Sequence, residues 1–460
     1  MQLEKIHKIY FIGIGGIGMS ALARYFHHKG VEVHGYDKTE TDLTKALIGE
    51  GMTIHYEDNV NFIPKNVDLC VWTPAVPLDM TELNYFIDQK IPLKKRAEVL
   101  GIISKSKRCI AIGGTHGKTT TSSMTAHLLR AGGVDASAFL GGIAGNFGSN
   151  FIEGKSDWVV AEADEYDRSF LQLHPEIAVV NSLDPDHLDI YGSPEAVVES
   201  YAQFARQVKP GGVLLYKADQ KLPRPDTKEV KIYTFGSEMG DFRASKNRIE
   251  NGWSVFDLKT PMGVFKNLKL RYPGIHNVEN ATAAIACALF SGVPKNKIRT
   301  ALANFKGVKR RFEPILKANK AGFGPVLIDD YGHHPAELAA TISAARQMFP
   351  NKKITGIFQP HLFSRTRDFA DDFARALEKL DTVILLPIYP AREKPIKGVD
   401  SDWILGKIKN VEKFSTTKTG LFNILVGKNV EVVLTLGAGD IDGLLKKLKR
   451  TLKKQTTVAA

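Results

Sequence analysis

The stretch Gly114-Thr115-His116-Gly117-Lys118-Thr119-Thr120 follows the apolar run Cys109-Ile-Ala-Ile112 and precedes a helical pattern from Ser122 to Leu129. A glycine-rich turn between a strand and a helix points backbone amides at phosphate. A lysine within it reaches the β and γ oxygens of a nucleoside triphosphate, and the next hydroxyl ligates Mg²⁺. Lys118 and Thr119 stand where that chemistry needs them. The full pattern also wants glycine at 112, where this chain has Ile112, so the loop is a shortened one. Metal partners are expected at the ends of later strands. Glu162, Asp164, Glu165 and Asp167 follow Trp158-Val-Val-Ala161, and Asp184, Asp186, His187 and Asp189 follow Ile177-Ala-Val-Val180. Mg²⁺ takes one or two carboxylates plus substrate phosphates, which suits Glu162. On spacing, His187 is either a second metal ligand or a hydrogen-bonded structural imidazole.

A second phosphate-gripping pattern comes earlier. Gly13-Ile-Gly15-Gly16-Ile17-Gly18 fits G-x-G-x-x-G between the strand Ile9–Ile12 and the helix Met19–His28. Its glycines allow close backbone approach to a diphosphate at a helix N-terminus. Gly15, Gly16, Ile17 and Gly18 are therefore candidate contacts to a sugar diphosphate, and Asp37, after the next strand, to a ribose. NAD and any other sugar-diphosphate ligand fit this loop equally.

The elements that must hold these loops alternate. Short β-like runs at Val31–Tyr36 and Asp68–Trp72 complete a first parallel, doubly wound sheet. Lys105-Ser-Lys-Arg108 separates it from a second α/β unit, which turns polar and hairpin-like near 220 and at Asn251-Gly252. After Arg310-Arg-Phe312 a third unit brings strands at Val326–Ile328, Ile354–Phe358, Thr382–Leu386 and Glu431–Thr435. The expected fold class is α/β in three domains: 1–107 Rossmann-like, 108–308 P-loop ATPase-like and 309–460 Rossmann-like. At 460 residues with 43% apolar side chains, the chain can bury a core in each.

Composition narrows the function classes. No run approaches the length of a membrane span and no signal peptide is evident, so a cytoplasmic protein without membrane insertion is expected. Cys70, Cys109 and Cys287 stand singly, with neither metal-ligand nor disulfide spacing. The net charge is +12. Part of it sits in Lys446–Lys454, where Ile441, Leu444, Leu445, Leu448 and Leu452 keep helical spacing and leave the lysines as a solvated face. The excess cation suits polyanionic small ligands rather than nucleic acid.

Taken together the motifs resemble the Mur ligases, the ATP-dependent amide-forming enzymes of peptidoglycan synthesis. The shortened Gly114–Thr120 loop is characteristic of that family. With it come Gly13–Ser20, Glu162-Ala-Asp-Glu165, Asp186-His187, His276-Asn277 with Asn280, and Gly307-Val-Lys-Arg-Arg-Phe312. Further on are Asp330-Tyr-Gly-His-His-Pro335, Gln359-Pro-His361, Ser364-Arg-Thr-Arg-Asp368 and Gly437-Ala-Gly439. The resemblance implies that the first domain binds the UDP part of a sugar nucleotide and the second binds ATP. It implies that the third brings in an amino acid. The implied substrates are UDP-N-acetylmuramate, ATP and L-alanine, joined through an acyl phosphate, in a monomer or homodimer. By position it makes Thr119 and Glu162 ligands of a first Mg²⁺ and His187 of a second. His276, Asn277 and Asn280 fall on the adenine side, and Arg311 on the ATP phosphate. Tyr331, His333, His334, Arg365 and Arg367 fall on the face that meets alanine or the reacting groups.

Two departures stand out. Many relatives place a carbamylated lysine after the Asp-His segment, whereas Glu199–Arg206 contains none, so no carbamate is expected. Some relatives carry Arg after Gln-Pro-His, whereas this chain has Leu362, which shifts the amino-acid clamp toward Arg365 and Arg367. Three other readings compete. One is a relative that attaches an intact tripeptide to the same sugar nucleotide. A second is an NAD-dependent oxidoreductase built on the first loop alone, and a third is a catalytically silent nucleotide sensor.

Overall fold

A computed structural model describes residues 2–185, 188–223, 225, 229–318, 324–391, 393–426 and 428–458. His187, expected as a metal ligand, lies outside them. Three sheets organise the chain. The first runs Thr53–His55, Glu32–Tyr36, Lys8–Ile12, Leu69–Trp72, Leu93–Lys95, with every pair parallel. The strand order reverses beside Lys8–Ile12, so the loop leaving that strand sits at the switch point, where an open sheet leaves a crevice for ligands. Helix Ile17–His28 starts two residues earlier than its apolar pattern suggests and is capped by Gly16.

The second sheet has ten strands. Its centre is Val213–Lys217, Ile177–Val180, Arg108–Gly113, Trp158–Glu162 and Ser137–Ala144, all parallel, with Ser149–Ile152 antiparallel on one edge. These inner strands read as unbroken apolar runs because helices cover both faces. On the other side Lys231–Ser237, Phe242–Glu250, Trp253–Thr260 and Gly263–Leu270 extend the sheet. Asn251 and Gly252 turn between two of these strands with φ of 50° and 76°. Two positive φ values in a two-residue loop make the hairpin geometry that matches strand twist, and Asn-Gly tolerates it best.

The third sheet runs Glu313–Leu316, Val326–Asp330, Val432–Leu436, Ile354–Phe358, Thr382–Leu385, Glu412–Ser415, parallel except for its first strand. Its last helix, Leu445–Val458, follows a 3₁₀ turn, Asp440–Leu444. Ile441, Leu448 and Leu452 are fully buried against the sheet, as the spacing predicts.

By compactness the chain forms two units. One comprises 1–246, 256–269 and 279–306, the other 247–255, 270–278 and 307–460. In the first unit a single apolar cluster runs from Ile9, Phe11 and Leu22 through Phe139 and Val159 to Phe204, so the first two sheets share a core. The three cysteines are buried and free, and burial alone pushes the Cys287 thiol up to about 12. They are packing residues.

Candidate active site

The loop after strand Arg108–Gly113 owes its shape to two glycines. Gly114 has φ of 122° and Gly117, capping helix Lys118–Ala131, has φ of 80°. A side chain at Gly114 would sit 2.7 Å from the Ser182 amide, and one at Gly117 would sit 2.5 Å from Asn280 Oδ1. Strand ends 181–182 and residue 280 therefore press on the loop from two sides. Asn181 Nδ2 donates to Thr121 Oγ1 at 3.0 Å, and Thr121 Oγ1 donates to Asn280 Oδ1 at 3.1 Å. Ser182 Oγ accepts the His116 amide at 2.8 Å and meets Thr115 Oγ1 at 2.9 Å. These hydrogen bonds fix the shape of the loop, which is the preorganisation that phosphate capture needs.

Lys118 begins the helix. Its ammonium donates to Gly114 O at 2.8 Å and to Glu165, whose two carboxylate oxygens both lie at 2.8 Å. Burial works against its charge, but Glu165 and Glu162 outweigh that and hold its pKa above the usual lysine value. Thr119 Oγ1 donates to Glu162 Oε1 at 3.0 Å, and the Gly141 amide donates to Glu162 Oε2 at 3.0 Å. Burial raises the Glu162 carboxyl, with Lys118 and Thr119 pulling it back. A half-buried carboxylate beside a hydroxyl is a hard-oxygen pair suited to a divalent cation. Thr120 lies in the helix's first turn.

The first loop closes on itself. Gly15 donates its amide to Asp37 Oδ2 at 2.8 Å, and Gly13 and Ile14 both donate to Tyr36 O. One Asp37 oxygen thus shapes the loop, while Oδ1 takes the Thr39 amide at 3.2 Å. Gly16, Ile17 and Gly18 line a cleft of about 320 Å³ whose other walls include Thr73, Arg96, Gly141, Glu162 and Asp164. The end of the first loop and the Glu162 carboxylate therefore open into one cavity.

Helix Ile275–Phe290 contains the segment expected on the adenine side. Its apolar run begins only at Ala281, but His276, Asn277 and Asn280 already lie in its first two turns. The early start follows Gly274, whose φ of 96° turns the chain into it. Asn277 Nδ2 donates to Pro273 O at 2.7 Å. Asn280 reaches the phosphate loop as described above.

In the second unit, residues after the strands of the third sheet gather at their carboxyl ends. Asp330 Oδ1 and Oδ2 accept the Gly332 and Phe312 amides, each at 2.8 Å. Arg311 lies over the Tyr331 ring, its Cζ 5.2 Å from the centroid, and 3.5 Å from Glu337 Oε1. His333 sits with its Nδ1 3.1 Å from Tyr331 O and 3.7 Å from Glu337 Oε2. Burial, helped by Arg365, depresses it from 6.5 to about 4 against the opposing pull of Glu337. The two adjacent histidines have different jobs. His334 caps helix Pro335–Met348, its Nδ1 accepting the Ala336 amide at 3.3 Å, with Glu337 completing the capping box. The two expected arginines also part company: Arg365 is buried, whereas Arg367 is half exposed and pairs with Asp368 at 2.7 Å. Leu362 starts the helix that carries them with φ of 71° and donates its amide to Tyr389 O at 3.0 Å.

His333 gives a pH prediction. The unfolded imidazole protonates near 6.5 and the folded one near 4, so the unfolded chain takes up the proton first as pH falls. Stability from this group is complete above about 6.5 and declines through about 4, by up to about 3 kcal/mol. Denaturant midpoints between pH 7.5 and 4.5 should show His333→Asn with a shallower acid limb than the parent. An equally steep limb would assign the acid loss elsewhere.

No local pattern marks Glu165 as the partner of Lys118, or Asn181 and Ser182 as partners of the loop. Glu165 belongs to the acidic run that follows Trp158–Ala161, but nothing in the run says which carboxylate meets the lysine.

Family models match almost end to end. Residues 8–108 match the model described as Mur ligase family, catalytic domain, 112–288 the Mur ligase middle domain, and 310–439 the Mur ligase, glutamate ligase domain. The chain is 49% identical over 460 residues to a UDP-N-acetylmuramate–L-alanine ligase of Flavobacterium psychrophilum, covering 99% of this chain and 100% of that one. It is 47% identical to the enzyme of the same name from Cytophaga hutchinsonii, covering 98% and 97%. A crystal structure of UDP-N-acetylmuramate-alanine ligase from Thermotoga maritima superposes with a TM-score of 0.82 at 29% identity, covering 98% and 100%. A murein peptide ligase from Psychrobacter arcticus shares the fold at a TM-score of 0.71 and 22% identity, covering 97% and 98%.

Proposed function

The chain belongs to the Mur ligase family, and from that premise we infer that it is an ATP-dependent ligase joining L-alanine to the lactoyl carboxylate of UDP-N-acetylmuramate in peptidoglycan synthesis. The observation that carries this reading is the shared cleft, where the sugar-diphosphate loop at Gly16–Gly18 and Glu162, the strand-end carboxylate bonded to Thr119 of the phosphate loop, line one cavity. A sugar nucleotide held at the first loop extends its carboxylate toward the γ-phosphate held at the second. NAD chemistry would leave Lys118, Thr119 and Glu162 without a task.

A carboxylate does not acylate an amine because its leaving group would be oxide. Transfer of the γ-phosphoryl group from ATP to that carboxylate makes an acyl phosphate. The alanine amine then attacks the acyl carbon, and phosphate departs from the tetrahedral intermediate. Lys118 neutralises the β and γ oxygens, and the amides of Gly114–Thr120 cradle the phosphates, so the protein contributes position and charge. Thr119 and Glu162 would hold a first Mg²⁺ and His187 a second. The ion, when bound, screens the triphosphate and fixes its orientation. His276, Asn277 and Asn280 are assigned to the adenine side, and Arg311 to the ATP phosphate. Tyr331, His333 and Arg365 are assigned to the alanine side. His334 supports that face as a helix cap, and Arg367 is the weaker of the two arginine candidates. Uncharged at neutral pH, His333 adds no repulsion toward an incoming ammonium.

The division of labour follows the three sheets: 1–107 for the sugar nucleotide, 108–308 for ATP and 309–460 for the amino acid. Buried free thiols and the nucleotide substrates fit a cytoplasmic enzyme. Among the described residues no helix is long and apolar enough to cross a membrane.

Phosphate release from ATP and Mg²⁺ tests the reading, measured with UDP-N-acetylmuramate and either L-alanine or the tripeptide. Release that requires L-alanine is expected. Release only with the tripeptide would move the chain to the other branch of the family, and release with neither would overturn the reading.

A further inference from the structure

Two neighbouring carboxylates, Asp164 and Glu165, leave the end of strand Trp158–Glu162 and go to different loops. Glu165 takes the Lys118 ammonium of the second loop with both oxygens at 2.8 Å. Asp164 Oδ2 takes Arg96 Nη2 at 3.0 Å. Arg96 in turn lies against the first loop, since a side chain built at Gly18 would meet its Nη1 at 2.5 Å. Next along the chain, Asp167 pairs with Lys95 at 2.9 Å.

The backbone between them is held hard. Tyr191 Oη donates to Glu165 O at 2.6 Å, Asp164 Oδ1 accepts the Tyr166 amide at 3.1 Å, and Asp164 O accepts the Phe170 amide at 2.8 Å. Asp167 and Arg168 both adopt left-handed conformations, with φ of 53° and 52°. Consecutive non-glycine residues there are strained, and such strain persists only where the surroundings enforce it. The Asp164–Arg96 pair is part exposed, at 41% and 20%, so it adds little to stability. Its consequence is geometric: it fixes a guanidinium at the wall of the cleft beside Gly18.

We propose that Asp164 and Glu165 are positioning residues that set, from one strained segment, the cation of each phosphate-gripping loop: Arg96 for the diphosphate of the sugar nucleotide and Lys118 for the triphosphate. This rests on the ligase reading above. Glu165 keeps Lys118 aimed across the loop when Gly114 O is exchanged for phosphate oxygens. Asp164 keeps Arg96 at the N-terminus of helix Ile17–His28, where it adds to the positive end of the helix dipole.

The test uses the full-length chain with UDP-N-acetylmuramate, ATP and L-alanine, comparing the parent with Glu165→Gln, Glu165→Asp and Asp164→Asn. Glu165→Gln should lower kcat by about tenfold or more, while KM for the sugar nucleotide shifts by no more than about twofold. Glu165→Asp, which keeps the charge on a shorter arm, should recover part of that loss. Asp164→Asn should raise KM for the sugar nucleotide by about tenfold, an effect larger than that on kcat. Thermal melts accompany the kinetics. If both substitutions lower the melting temperature and leave kcat and both KM values at the parent's, the residues are structural and the proposal fails. It fails too if both act on the same kinetic parameter. A parent that releases no phosphate would instead overturn the ligase reading itself. Should Glu165→Gln not fold, Glu165→Asp carries the same comparison.

Discussion

Lys118→Met lowers ATP-dependent phosphate release by about a thousandfold or more while the chain still binds UDP-N-acetylmuramate. One unit charge about 4 Å from another at an effective dielectric near 20 is worth about 4 kcal/mol, and each 1.36 kcal/mol is a factor of ten in rate. Met keeps the aliphatic stem and removes only the cation. A second effect must be separated from the first. Lys118 neutralises Glu165, which is 3% exposed, so removing it leaves a buried carboxylate uncompensated. Breaking such a pair from one side destabilises by about 3 kcal/mol or more. The double variant Lys118→Met with Glu165→Gln should recover much of the melting temperature and none of the activity. Recovery of both would mean that Lys118 acts through stability, and the phosphate-loop reading would fall.

Glu162→Gln lowers kcat/KM by about a hundredfold and weakens divalent-ion binding by a comparable factor, because a formal charge leaves the hard-oxygen pair with Thr119. This substitution does not destabilise the fold. Burial raises the Glu162 carboxyl, so a neutral amide relieves a desolvated charge. Gln can still accept the Gly141 amide that Glu162 Oε2 accepts at 3.0 Å. Mn²⁺ binding followed by electron paramagnetic resonance, in the presence of ADP, reads the ion without relying on turnover. A variant that keeps the parent's Mn²⁺ affinity would remove Glu162 from the metal set. An unchanged melting temperature with lost affinity would place its role at the ion.

Much of this protein is written locally. Gly114 and Gly117 must be glycine because φ of 122° and 80° disfavour any side chain, and Lys118 and Thr119 follow from the helix start. The Gly13–Gly18 loop and the alternation of apolar runs with helical spacing place three α/β sheets in order, since parallel strands need crossover helices between them. Family membership is legible for the same reason, as short strings of fixed chemistry recur in one order.

Destinations of side chains are another matter. Glu162, Asp164 and Glu165 lie within four residues, yet one meets Thr119, one Arg96 and one Lys118. Two left-handed residues just beyond, together with the Tyr191 hydroxyl on Glu165 O, steer that segment, and no periodicity announces them. His333 and His334 are adjacent, but one is packed against Tyr331 and Glu337 while the other caps a helix. Arg365 and Arg367 sit two positions apart on a short helix and so face opposite ways, one buried and one in solvent. Sequence by itself determined the loops, the succession of α/β units and the family, because backbone conformation and strand–helix alternation depend on neighbours in the chain. Only tertiary structure decided which carboxylate, imidazole or guanidinium reaches which partner, because burial and pairing depend on residues far away along it.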